Sequence, residues 1–171
     1  MADICQLILD EHEEFRRGFA ALDELRARPV SNDKLRGALA PLAAHLDRHA
    51  DAEERHFYPA LLRAGRRAQA ETNDAIADHN DIRDALRRAS AAEPGSSEWW
   101  DGVNTARESN SDHMAEEERG AIADFRTSAD PASRAEIGAA WIAFIAEHPG
   151  REGIDETNKE PGDYIAEHER R

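Results

Sequence analysis

The sequence predicts an all-α protein, on three observations. Ala, Leu, Arg and Glu dominate and are good helix formers, while strand signals are scarce. Apolar residues recur at three- and four-residue steps through four successive segments. Proline, glycine and capping residues separate those segments. With 171 residues, 40% of them apolar, the chain suits one domain with a single core. The expected architecture is an up-down-up-down antiparallel four-helix bundle over residues 1–128, an accessory helix over 129–149 and a surface tail over 150–171.

The first helix should run from about Asp3 to Arg28, because Ile4, Leu7, Ile8, Phe15, Phe19, Leu22 and Leu25 form one stripe that also contains His12. Pro29 ends it, and Ser31-Asn32-Asp33 offers a cap to the next helix. That second helix carries Leu35, Leu39, Leu42, Leu46, Phe57 and Leu61 on the face of His49 and Glu53, and should stop at Gly65. Pro41 within it predicts a kink or a later start. A third helix, from about Arg66 to Ser90, reads Ile76, His79, Ile82, Leu86. After the Glu93-Pro94-Gly95-Ser96-Ser97 break, a fourth helix to about Thr127 aligns Trp99, Val103, Ala106, Asn110, His113, Glu117, Ala121 and Phe125. Its inner face is thin in large aliphatics, as a helix carrying polar cargo would be. Asp130-Pro131 starts a fifth helix to about His148 with Ile137, Trp141, Phe144 and Ile145 on one side, available to the bundle or to a second copy in a homodimer. In the tail only Ile154, Tyr164 and Ile165 are candidate anchors.

One device occurs twice. His49 is followed four residues later by Glu53 and then Glu54-Arg55; sixty-four residues on, His113 is followed by Glu117 and Glu118-Arg119. Four residues is one helical turn, so an imidazole and a carboxylate converge on one point in each copy. A lone histidine precedes each copy, His12 and His79. The levels also agree. His12 and His49 each lie about eighteen residues, roughly 27 Å, from the turn between them. Glu53 and His79 stand about twelve and fourteen residues from the turn near Gly65, and His79 and His113 about sixteen and eighteen from that near Gly95.

Composition excludes several classes. A formal charge of −14 disfavours nucleic acid and anionic membrane surfaces. No apolar run spans a bilayer, and the N-terminus lacks the basic and apolar regions of a secretory signal. Cys5 is the single cysteine, so there is no internal disulfide and no thiolate metal site, and a reducing cytoplasm is the simplest home.

A lone histidine on an apolar face is usually a packed residue with one polar partner. Four imidazoles and two carboxylates at one level are different, since each unmade hydrogen bond would cost about 1–3 kcal/mol. A cation removes that cost. Imidazole and carboxylate without sulfur suit iron, manganese or zinc, and six donors exceed one tetrahedral zinc but fit two ions with open positions. Ferritin-like sites need Glu-x-x-His twice; Glu53…His56 supplies it once, and Gly120 occupies the matching position of the second copy.

The ordered histidines and His–Glu-Glu pairs, with Phe57-Tyr58-Pro59-Ala60-Leu61 after the first, resemble the hemerythrin-like (HHE cation-binding) family of four-helix di-iron bundles over residues 3–127. The resemblance implies His12, His49, Glu53, His79, His113 and Glu117 as ligands to two irons, with Glu53 and Glu117 bridging and zinc or manganese as substitutes. Oxygen-carrying hemerythrins have a second histidine one turn before that on the third helix and an Asp on the fourth; here Ala75 and Glu117 stand there. Fewer nitrogen ligands leave more positions open to water, dioxygen, peroxide or nitric oxide, which favours sensing or redox chemistry over carriage. His45 reads as a packing or supporting residue, with supply of the missing nitrogen from a different helix as the alternative, and His56 reads similarly; Tyr58, one position off the inner stripe, reads as a packing residue, with a phenol beside the irons as the alternative; Glu54 and Glu118 read as alternative ligands or partners of Arg55 and Arg119. His148 and His168 belong to the helix end and tail. Three functions follow: binding or sensing of oxygen or iron; a di-iron oxidoreductase acting on hydrogen peroxide or nitric oxide; or a partner-binding bundle with a structural metal and Trp141 and Phe144 as its interface.

Overall fold

A computed structural model describes residues 2–169. Helix α1 spans Ile4–Arg26, and its N-cap Asp3 accepts from the Cys5 amide at 2.9 Å. Helix α2, Asn32–Ala52, is capped by Ser31 and continues through Pro41 rather than starting there. The amide hydrogen bond that Pro41 removes falls on the exposed side of the helix, since Gly37 and Pro41 are both exposed residues. A single wide π-turn, Glu53–Phe57, then separates α2 from α3, Tyr58–Ala64. Helix α4 is Ala68–Ala91 and α5 is Ser97–Arg119, capped by Ser96. The long fourth helix expected from sequence is broken at Gly120, which passes the chain to α6, Ala121–Ser128. Helix α7, Pro131–Glu147, starts on Asp130, whose carboxylate accepts from the amides of Ala132 and Ser133. Among the described residues there is no strand, and no helix is long and apolar enough to cross a membrane.

α4 and α5 form the most extensive helix pair. Gly102 sets their spacing, because a Cβ there would lie 2.8 Å from the backbone nitrogen of Ala89. The bundle interior holds two apolar clusters. One gathers Ile8, Phe57, Leu61, Ile76, Ile122 and Phe125; the other gathers Phe15, Leu22, Leu46, Leu86, Trp99 and Val103. On α1 and α4 a buried histidine, His12 or His79, falls in sequence between residues of the two clusters, and His49, Glu53, Asn110, His113 and Glu117 complete this buried polar set.

The fifth predicted helix, α7, lies against α1 and α2, with Trp141 1% and Phe144 5% exposed. These side chains pack on their own bundle, so a partner interface made of them is corrected. The tail after Pro149 does run over the surface, but it is fastened there. Arg151 pairs with Asp47, the Asp155 amide donates to Asp51, and Lys159 exchanges backbone hydrogen bonds with the side chain of Asn80. It ends in a short helix, α8, Pro161–His168, which buries Tyr164.

Candidate metal centre

Each half of the bundle contributes three donors. His12 comes from α1, His49 from the last turn of α2 and Glu53 from the start of the π-turn; His79 comes from α4, and His113 and Glu117 from α5. None is more than 4% exposed. Nε2 of His49 lies 3.1 Å from Oε1 of Glu53, and Nε2 of His79 lies 3.1 Å from Oε2 of the same carboxylate. His113 Nε2 is 3.9 Å from Glu53 Oε2, and His12 Nε2 is 3.3 Å from Glu117 Oε2. Two donor sets result, His12-His49-Glu53-Glu117 and Glu53-His79-His113, with the donor atoms of each within 4.8 Å of one another. Glu53 belongs to both.

The four Nε2 atoms, Oε1 of Glu53 and Oε2 of Glu117 are all buried without a hydrogen-bond partner. Left so, six such atoms would cost about as much as the entire stability of a typical domain. Lone pairs converging from imidazoles and carboxylates fit cations, and the donor chemistry fits iron.

The opposite nitrogen of every ring meets a carboxylate. Nδ1 of His12 donates to Glu118 at 3.0 Å, that of His49 to Glu11 at 2.9 Å and that of His79 to Glu54 at 2.8 Å, while Nδ1 of His113 lies 3.4 Å from Asp78. An ionised carboxylate only accepts, so Nδ1 carries the proton and Nε2 turns its lone pair inward. These acids are held in turn. Glu118 pairs with Arg16, Glu54 with the buried Arg83 and with Lys159, and Glu11 accepts from Trp141 Nε1 at 3.2 Å. Burial opposes charge on His49, but Glu53 and Glu11 push its imidazole up to about 10. Burial likewise opposes charge on Glu53, and His49 and His79 nevertheless hold that carboxyl well below the usual range. A proton on His49 therefore competes with a cation for the same lone pair.

The arrangement is that of a cation site assembled by two repeated helix pairs, and the comparisons agree with it. Residues 3–123 match the family model of the Hemerythrin HHE cation binding domain. The chain belongs to this family. Neither the curated proteins nor the solved structures give a match.

Within this hemerythrin-like domain, Tyr58 departs from its sequence reading. In a regular helix the residue one turn after Glu53 would share its face; in the π-turn the Tyr58 amide bonds the Glu53 carbonyl five residues back, so Tyr58 takes that place. Pro59 helps to impose the turn, since it has no amide to bond four residues back and its ring crowds that carbonyl. The Tyr58 hydroxyl lies 3.2 Å from Glu53 Oε2 and 3.1 Å from Glu117 Oε1, within donor reach of both. Burial, together with Glu117 and Glu53, pushes the phenol well above its ordinary range, so it keeps its proton.

Other residues fall outside the hemerythrin-like centre. His45 shares Glu11 with His49 at 3.1 Å. His56 sets its ring against Phe144 at 5.6 Å, which removes the single Glu-x-x-His match from the site. His148 and His168 each place Nδ1 against a backbone carbonyl one turn earlier. Glu11 and Asp78 are the supporting residues that motif spacing misses. Their signal is local: each immediately precedes a lone site histidine, and orients the histidine of the next long helix.

Proposed function

We propose that this hemerythrin-like chain is a non-haem di-iron protein that binds oxygen, or senses oxygen or iron, through His12, His49, Glu53, His79, His113 and Glu117. One observation carries the reading: the six unpartnered buried donor atoms fall into two sets sharing Glu53, with four donors in one and three in the other. Imidazole and carboxylate donors support iron, with manganese or zinc as substitutes, and the smaller set is the side with room for an added ligand. When bound, an iron pair supplies one-electron redox chemistry and Lewis acidity. The chain's own groups hold the protons and exclude water. Glu11, Glu54, Glu118 and Asp78 face the four Nδ1 protons, and the apolar clusters on either side shelter the centre.

The Tyr58 hydroxyl favours a second reading, in which the centre turns over hydrogen peroxide or nitric oxide. It is a hydrogen-bond donor fixed between Glu53 and Glu117 that could orient a small oxygen-bearing ligand beside them. Iron-loaded protein that consumes peroxide supports turnover; a spectrum that shifts with oxygen while peroxide persists supports binding or sensing. For the centre itself, His49→Ala and Glu53→Ala should each lose at least one metal equivalent and His148→Ala none. Equal metal content in all three would refute the assignment.

A further inference from the structure

A cavity of about 260 Å³ opens between α4 and α5. Its outer wall carries the exposed Arg67, Asp74, Glu116 and Arg119, and its inner wall includes His113 and Glu117. Both inner residues are at least nine-tenths buried, and His113 Nε2 and Glu117 Oε2 lack hydrogen-bond partners. Space that begins at the surface therefore ends on two donors of the centre. His113 belongs to the set with three donors and Glu117 to the set with four, so the approach meets the centre where the two sets adjoin.

Two residues on one face of α4 govern this space, at successive turns before His79. Ala75 contributes a methyl group to the wall, and any larger side chain there would project into the void. Glu71, one turn further out, lines the same cavity and holds an Oε2 that is enclosed without a partner. Outside the donor Glu117, four carboxylates, Glu71, Asp74, Asp78 and Glu116, face two arginines, Arg67 and Arg119, so the outer part of the passage carries an excess of negative charge.

We propose that this cavity is the route by which a small uncharged molecule of the size of dioxygen, hydrogen peroxide or nitric oxide reaches the centre at His113 and Glu117, and that Glu71 with its neighbouring acids turns away small anions. The proposal rests on the di-iron reading above. Ala75 sets the width, and Glu71 sets the charge.

Stopped-flow mixing of the iron-loaded protein with nitric oxide, which is neutral, and with azide, which is anionic, tests both halves. Ala75→Leu should slow both reactions by roughly tenfold while iron content stays at the parent value. Glu71→Gln should speed azide by about tenfold at low salt, lose that advantage at high salt and leave nitric oxide unchanged. Iron-replete Ala75→Leu protein with parental rates would overturn the route, and a Glu71→Gln effect equal for both probes would overturn the charge filter. Because Glu71→Gln adds no volume, it tests the proposal even if Ala75→Leu folds poorly. Parent protein that takes up no iron would instead refute the di-iron reading, and the passage with it.

Discussion

Glu11→Gln should weaken metal binding at one set of donors and spare the other. The Glu11 carboxylate receives three donors: His49 Nδ1 at 2.9 Å and His45 Nε2 at 3.1 Å on one oxygen, and Trp141 Nε1 at 3.2 Å on the other. Glutamine keeps the shape but has one acceptor oxygen, so either the histidines or Trp141 must face an amide N–H. The bond to His49 also loses its charge assistance. Supporting carboxylates of this kind are worth about 10- to 100-fold in metal affinity, or about 1.4–2.7 kcal/mol. Chelator competition, followed by the optical spectrum of the iron-loaded protein, should show one of two release steps moving by that factor. Glu54→Gln should move the other step, because Glu54 orients His79. Glu14→Gln is the control, since Glu14 is 61% exposed and 3.8 Å from His45. Identical release curves for Glu11→Gln and Glu14→Gln would refute the orienting role.

Other outcomes follow from the same geometry. Tyr58→Phe should keep both metal equivalents by elemental analysis, yet lose about 100-fold in peroxide consumption if the centre is redox active, because the hydrogen-bond donor between Glu53 and Glu117 is gone. Gly102→Ala should lower stability by about 1–3 kcal/mol in denaturant titrations, because its Cβ would meet the Ala89 backbone. Asp124 accepts from the amides of Arg66 and Arg67 and from Ser128; slight burial opposes its charge, but these donors hold its carboxyl below the usual range. Its stabilisation is therefore present above the ordinary carboxylate pKa and lost as pH falls through the lower folded value. Thermal melts of metal-free Asp124→Asn should fall below the parent at pH 7, with the gap closing below about pH 4.

The helices, their order and the level shared by six donors are legible because each rests on a period or a spacing, which survives when tertiary contacts are unknown. What is not legible depends on departures from the regular helix or on contacts between distant segments. Tyr58 reads as a packing residue because 3.6 residues per turn places it beside the inner face; the π-turn before Pro59 adds one residue and swings it in. Gly120 looks like a mere gap in a repeated motif, yet it ends α5 just after the last donor. The tail gives no period at all, and its attachment through Arg151, Asp155 and Lys159 uses pairings that span more than seventy residues.

The two halves repeat, but they are not equally enclosed, and the inequality bears on function. Glu11 is braced by Trp141 from α7, Glu118 by Arg16, and Glu54 by Arg83 and by Lys159 from the tail. Asp78 differs: its contact with His113 is the longest of the four, and no cation pairs with it among the described residues. It also lines the cavity between α4 and α5. The added elements α7 and the fastened tail thus secure the acids behind His49 and His79, whereas the acid behind His113 stays on an open side. A centre that only stabilised the fold would gain from closing the fourth position as firmly as the others. One that must admit a small molecule needs a side left open, and His113 stands where the surface reaches it.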